Sequence, residues 1–190
     1  MDISIKELFS DIIERLKKNE RPRIKLSDEQ LTELVTNWSF INKLESLEST
    51  HNEHLTAILC VLDHATNTHK QIERLILDSL IDQKYFDTTT SVYLHSIAAK
   101  HIIEHRFKNG DRLEHEFLVT LDKLLDQKKP ENLEWTLRLI EQCGPQSIML
   151  KQKVLSKKPS IFGILNKHNK SVKQLIEFLE KRWSPPNGTR

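Results

Sequence analysis

The stretch His101-Ile102-Ile103-Glu104-His105 sets two imidazoles four residues apart, with a carboxylate between them. On a helix, residues four apart lie on one face, one turn from each other. Both rings could then reach one zinc ion, for which imidazole nitrogen is a preferred ligand. A zinc so held activates a bound water, and the chemistry it supplies is hydrolysis.

The pattern H-x-x-E-H resembles that of the inverted zinc peptidases. The resemblance implies that Glu104 is the base acting on the metal-bound water. It also implies a distal carboxylate ligand, and Glu180 stands 75 residues after His105. Two features oppose it. The resemblance implies a large mixed α/β domain, and strand-like alternation is missing from this sequence. The helix carrying the motif is also apolar around much of its circumference, through Tyr93, Leu94, Ile97, Ala98, Ile102, Ile103 and Phe107. His101 and His105 fall beside Leu94 and Ala98, a setting for core histidines satisfied by hydrogen bonds. We therefore expect no catalytic residue, no metal and no cofactor. His101, His105 and Glu180 are the runner-up metal set.

The other chemistry-bearing residues read more plainly. His51, His54, His64, His69, His95 and His115 sit at helix starts, connectors or helix faces, where exposed or capping roles are expected. Cys60 and Cys143 lie inside apolar helical patterns and read as packing residues. Four scattered glycines build no phosphate cradle.

Charge is distributed unevenly. From Ser27 to Thr68 there are seven acids (Asp28, Glu29, Glu33, Glu45, Glu48, Glu53, Asp63) and one base, Lys43. From Gln142 to Ile176 there is no acid, but there are Lys151, Lys153, Lys157, Lys158, Lys167, Lys170 and Lys173. Such lysines suit an acidic protein surface or, alternatively, a phosphate backbone. The formal net charge of +2 decides nothing between them.

These residues are positioned by a row of helices. Ile5, Leu8, Phe9, Ile12, Ile13 and Leu16 follow one helical face, opened by a Ser4–Glu7 capping box. Ser27 and Gln30 repeat the box before Leu31, Leu34, Val35, Trp38 and Ile41. Further helices are expected at about Glu53–Ala65, His69–Gln83, Ser91–Phe107, Arg112–Gln127 and Glu131–Gly144. "KYFDTTT" reads as a connector, Gly110 as a left-handed cap, Pro130 as a stop and Gly144-Pro145 as another. Shorter helices follow at Gln146–Leu155, Ser160–Lys167 and Ser171–Trp183, the last opened by a Ser171–Gln174 box. Residues 1–183 read as a single helical domain, and 184–190 as a disordered tail. No apolar run is long enough to cross a membrane, and the N-terminus lacks a signal-peptide core, so a cytoplasmic setting is expected.

"LDSLIDQK" (Leu77–Lys84) nearly recurs as "LDKLLDQK" (Leu121–Lys128). Leu77, Leu80 and Ile81 match Leu121, Leu124 and Leu125 as inward positions. Tyr93, Ile97 and Ala98 lie on Trp135, Leu139 and Ile140 at an offset of 42. Leu55, Ile58 and Leu59 lie on Leu94, Ile97 and Ala98 at a similar one. A helix-pair period near forty residues resembles the armadillo/HEAT class of α-solenoids. That resemblance, over Asn52 to Leu155, implies an all-α, right-handed stack of antiparallel helix pairs, with an irregular helical bundle as the alternative. It implies a non-enzymatic scaffold or adaptor that binds a protein partner, with the seven lysines in any anionic contact. Some HEAT-like proteins bind DNA along a basic face, among them a class of alkylpurine glycosylases. That reading needs aromatic residues at the duplex, and Trp135 and Trp183 are its candidates.

Overall fold

The computed structural model describes residues 4–44, 48–82, 88–159 and 166–184. The described residues are helical and contain no strand. One parallel bridge ties two connectors. Ile24 N donates to the His64 carbonyl at 3.0 Å, and Thr66 N donates to the Ile24 carbonyl at 2.7 Å. The chain divides into two compact units, 1–104 and 105–190.

In the first unit, α1 (Ile5–Lys17) and α2 (Asp28–Ile41) both open on the expected capping boxes. Each box satisfies two backbone donors that a helix start leaves open. α3 (Ser49–His64) begins four residues before the expected Glu53. α4 (Lys70–Ile81) is entered through His69, whose Nδ1 accepts from Gln71 N at 3.2 Å. α5 (Thr88–Ala98) takes in the three threonines that read as connector, while 84–87 of that connector lie outside the described residues. It runs on into a π-helical turn, Ala99–Glu104.

These helices pack by alternation. α3 lies between α1 and α5, and α2 lies against α4, while contacts from α2 to α3 and from α4 to α5 join the two rows. Thr56 bonds to Thr90, and Ser96 donates to the Asp63 carboxylate. Both pairs advance in the same direction along the two helices, so α3 and α5 run parallel. Within the other row, Trp38 Nε1 donates to Ser79 Oγ at 3.0 Å, and the Asn42 amide bonds to the same hydroxyl. The core between the rows is apolar: Leu55, Ile58, Leu59, Ile72, Ile76, Leu80, Leu94 and Ile97 are shut off from solvent. Each such side chain contributes about 1.5–3 kcal/mol relative to exposure.

In the second unit, α6 (His105–Lys108) stops at Gly110, whose φ of +76° is the expected left-handed geometry. α7 (His115–Leu124) is shorter than expected at both ends. Pro130 does more than stop a helix. It is the first residue of α8 (Pro130–Gln142), where a missing N–H costs nothing. α8 ends before Gly144-Pro145, as expected. The chain then makes a 3₁₀ turn, Gly144–Leu150, before α9 (Lys151–Ser156). Of the helix expected at Ser160–Lys167, residues 160–165 lie outside the described residues. α10 (Lys167–Arg182) starts four residues before Ser171. Asn166 caps it, accepting from His168 N at 2.8 Å. Asn is among the strongest capping residues, and Ser171 is left inside the helix with its hydroxyl on the Lys167 carbonyl. Only Ser184 of the expected tail is described. α10 packs on α8 and α9, and α7 on α8.

The two echoing segments differ in burial. Leu77 and Leu80, like Leu121 and Leu124, are buried. Ile81 is 54% exposed, however, while its counterpart Leu125 is fully buried. Ser79 is buried beneath Trp38, and its counterpart Lys123 is exposed. On α4 the buried Ser79 is held by bonds to Trp38 and Asn42.

Candidate functional site

His101 lies in the π-helical turn and is buried. Its Nε2 donates to the Leu62 carbonyl at 2.9 Å. The preceding residue, Lys100, donates from Nζ to the next carbonyl, Asp63 O, at 2.5 Å. Both acceptors belong to the last turn of α3, where carbonyls lack partners within the helix. The π turn thus aims a cation and an imidazole at the electronegative end of α3. A ring nitrogen that donates to a carbonyl has no lone pair to offer a metal. His105, expected in the core, is exposed, with the Asn109 amide at 3.4 Å from Nε2. Glu180 is placed 3.7 Å from Lys158 Nζ. No three His, Cys, Asp or Glu side chains converge on a metal-sized site among the described residues.

Five further histidines divide into three roles. His69 caps α4, and His64 donates from Nδ1 to the Cys60 carbonyl. His54 and His115 are exposed. His95, expected at a surface or cap, is instead buried, and burial pushes its ring down to about 4 from an ordinary 6.5. Cys60 and Cys143 are buried free thiols, as their apolar neighbours imply. Burial raises both thiols, Cys143 to about 12, which leaves neither as a thiolate nucleophile.

The lysine run is acid-free in sequence but not in space. Lys153 Nζ sits 2.9 Å from Asp122 and 2.7 Å from Asp126, both supplied by the end of α7. Lys157 reaches the other oxygen of Asp126 at 2.9 Å. Bonds from these two lysines hold the Asp126 carboxyl below its usual range. Burial works against charge on Lys153, yet the two carboxylates outweigh it and raise its pKa. Lys158 lies near Glu177 and Glu180, and Lys173 near Glu177. Lys151 donates to the Trp183 carbonyl. Lys167 and Lys170 are exposed and have no ion pair among the described residues. The aromatic candidates are also occupied. Trp135 carries the Arg138 guanidinium 5.6 Å from its ring centre, and Trp183 is 7% exposed.

Two exposed apolar side chains were not foreseen. Phe40 on α2 is 59% exposed, and Ile81 on α4 is comparably so. On α2, exposed Asp28, Glu29 and Glu33 line an open concavity of about 590 Å³ with Thr32, Thr36 and Asn37. None of these three carboxylates has an ion pair among the described residues, and α2 holds no Lys or Arg. Backbone and Ser27 hydrogen bonds lower the Glu29 carboxyl, which keeps it charged at neutral pH. The signal for Phe40 is its spacing. Leu31, Leu34, Val35, Trp38 and Ile41 form the buried stripe, and Phe40 lies about 200° round the helix from Trp38.

No protein family matches this chain, nor does any curated protein or solved structure.

Proposed function

We propose that this chain is a helical-repeat module of the armadillo/HEAT kind, right-handed in its stacking, that binds a protein partner through the outer side of a helix row. Its work is presentation. Rigid helices hold side chains at fixed spacing, and unbalanced surface charge steers the partner.

The observation that carries this reading is the spacing of its internal bonds. Thr56 bonds to Thr90, Leu62 to His101, Trp38 to Ser79, Leu26 to Asn67, Glu134 to His168 and Glu141 to Arg182. These partners lie 34 to 41 residues apart. Helices that stack on their next-but-one neighbour, in a chain of helix pairs near forty residues, make bonds at that spacing. An irregular bundle has no reason to repeat it.

The nucleic-acid reading has less to draw on. Five of the seven lysines have partners within the chain, and Lys167 and Lys170 alone make a short track for a phosphate backbone. An acidic partner's contact would also fall on these two. The hydrolase reading needs converging ligands, and no three His, Cys, Asp or Glu side chains converge among the described residues.

The test is recovery of the tagged full chain from its own cells, with and without nuclease and EDTA. We expect a stoichiometric protein complex that survives both treatments. A complex that dissolves with nuclease, or recovery of nucleic acid alone, would overturn the reading.

A further inference from the structure

The apolar stripe of α10 is used inside the second unit. Val172, Ile176 and Leu179 are fully buried, and the helix packs on α8 and α9. Its exposed positions are Lys167, Lys170, Gln174, Phe178, Lys181 and Arg182. At about 100° per residue, the first five fall within about 80° of one another, opposite the buried stripe. They form one ridge along the helix, in steps of three and four residues. The ridge carries no acid. The two acids of α10 are turned to the α9 flank, where Glu177 and Glu180 lie 3.8 and 3.7 Å from Lys158 Nζ. Arg182 is turned to the other flank, where it donates to the Glu141 carbonyl of α8 at 2.8 Å. Lys167, Lys170 and Lys181 have no ion pair among the described residues. Phe178 is 49% exposed between them. Lys170 precedes it by about 12 Å of helix, and Lys181 follows it by about 4.5 Å. The outer side of α10 thus runs cation, apolar, cation.

We propose that this ridge docks an acidic segment of a partner protein that carries a large apolar side chain between its carboxylates. The inference rests on the module reading above and names its contact face and its partner's chemistry. The partner's apolar side chain covers Phe178, and Asp or Glu residues on either side of it meet Lys167, Lys170 and Lys181. Charge complementarity selects this occupant. Three exposed cations with no acid on their ridge repel a basic segment and find no counter-charge on a neutral one. The pattern also separates this occupant from a polyanion and from lipid. A nucleic-acid strand carries a charge at every residue and stacks its bases on successive aromatics. Here Gln174 and Phe178 interrupt the lysines, and Phe178 is the one aromatic on the ridge. A membrane surface takes up a broad apolar face, and that of α10 is already buried.

The experiment uses the full chain and a fluorescein-labelled 16-residue peptide with a Leu pair at its centre and Glu in both flanks. Controls are the same peptide with Ser for the Leu pair, the Leu/Lys analogue, and a labelled 15-residue oligothymidylate. Fluorescence anisotropy should show the Leu/Glu peptide binding at least about ten-fold tighter than the Leu/Lys one. It should bind about five-fold tighter than the Ser/Glu one, and Phe178→Ser should remove that preference. Lys167→Glu with Lys170→Glu, and Lys181→Glu alone, should each weaken it by about five-fold or more and flatten its dependence on salt. These lysines are exposed, so circular dichroism of the variants should match the parent. Equal binding of the Leu/Glu and Leu/Lys peptides, or Leu/Glu binding unchanged in the lysine variants, overturns the proposal. So does a preference for Leu over Ser that survives Phe178→Ser. Tighter binding of the oligothymidylate than of the peptide also overturns it, since the occupant would then be nucleic acid. Self-association of the parent that the lysine variants abolish does the same, since the occupant would then be a second copy. A nuclease-resistant cellular complex that persists in the Lys167→Glu, Lys170→Glu, Lys181→Glu triple variant overturns this ridge and leaves the module reading standing.

Discussion

His95 sits on α5 at 1% exposure, with Nδ1 2.7 Å from the Ser91 carbonyl and no partner at Nε2. A carbonyl only accepts, so Nδ1 carries the hydrogen and the ring is neutral. Burial disfavours the charged ring and pushes its pKa down to about 4. The unfolded chain takes a proton here below its ordinary 6.5, and the folded chain does not until about 4. Stability from this group is therefore complete above 6.5 and is lost as pH falls towards 4. Replacing His95 with Leu should remove that loss. Compared with the parent, His95→Leu should gain roughly 2–3 kcal/mol between pH 7.5 and pH 4.5. Urea denaturation of both chains at the two pH values measures it. Parallel pH profiles would mean that His95 stays hydrated in the folded chain. The sequence placed this histidine at a surface or cap, because polarity is a sound guide to exposure only on helices with one wet side. α5 is enclosed by α3 and α4, so even its polar Thr90, Ser91 and His95 are buried. Cys60 and Cys143 were legible because their neighbours are apolar along the chain as well as in space.

At the scale of elements, two of the three expected capping boxes were read correctly, while the Ser171–Gln174 box was not, since Asn166 caps that helix. The Ser4–Glu7 and Ser27–Gln30 boxes close within four residues, so their consequences follow from sequence alone. The π turn at Ala99–Glu104 does not, because the bonds it makes go to α3, nearly forty residues away. Across the same separation, His101 of the zinc-like motif reaches the end of α3. His101→Leu should then leave the Leu62 carbonyl with only the Ala65 N–H, at 3.2 Å, and cost about 1 kcal/mol for the lost bond. His101→Gln, which restores a donor, should recover part of it. Thermal unfolding should report both changes, and excess EDTA should leave the parent's melting temperature where it was. A melting temperature that falls on chelation would return His101 to the metal set. Trp38 offers a companion case in the other row. Trp38→Phe keeps the apolar burial and removes the bond to Ser79, for an expected cost of about 1 kcal/mol.

Charge is polarised along the whole chain, but within the second unit the lysine-rich stretch is largely answered by nearby carboxylates. The acid-free stretch from Gln142 to Ile176 borrows Asp122 and Asp126 from α7 and Glu177 and Glu180 from the last turns of α10. Sequence order hides this, since the donors lie just outside the stretch on one side and some twenty residues before it on the other. Its consequence for polyanions can be measured. A protein that neutralises Z phosphates shows a log–log salt slope of about −0.9Z, so free lysines count and paired ones do not. The full chain should leave a heparin column early in a salt gradient. Asp122→Asn with Asp126→Asn removes the carboxylates from Lys153 and Lys157, and should delay elution and steepen the slope by about 1–2. Lys167→Glu with Lys170→Glu should advance it, because those lysines are exposed and have no ion pair among the described residues. If the parent is retained as strongly as the Asn variant, the ion pairs of α7 and α9 do not hold in solution. The seven lysines then form one basic track, and a nucleic-acid partner becomes the better reading of this chain.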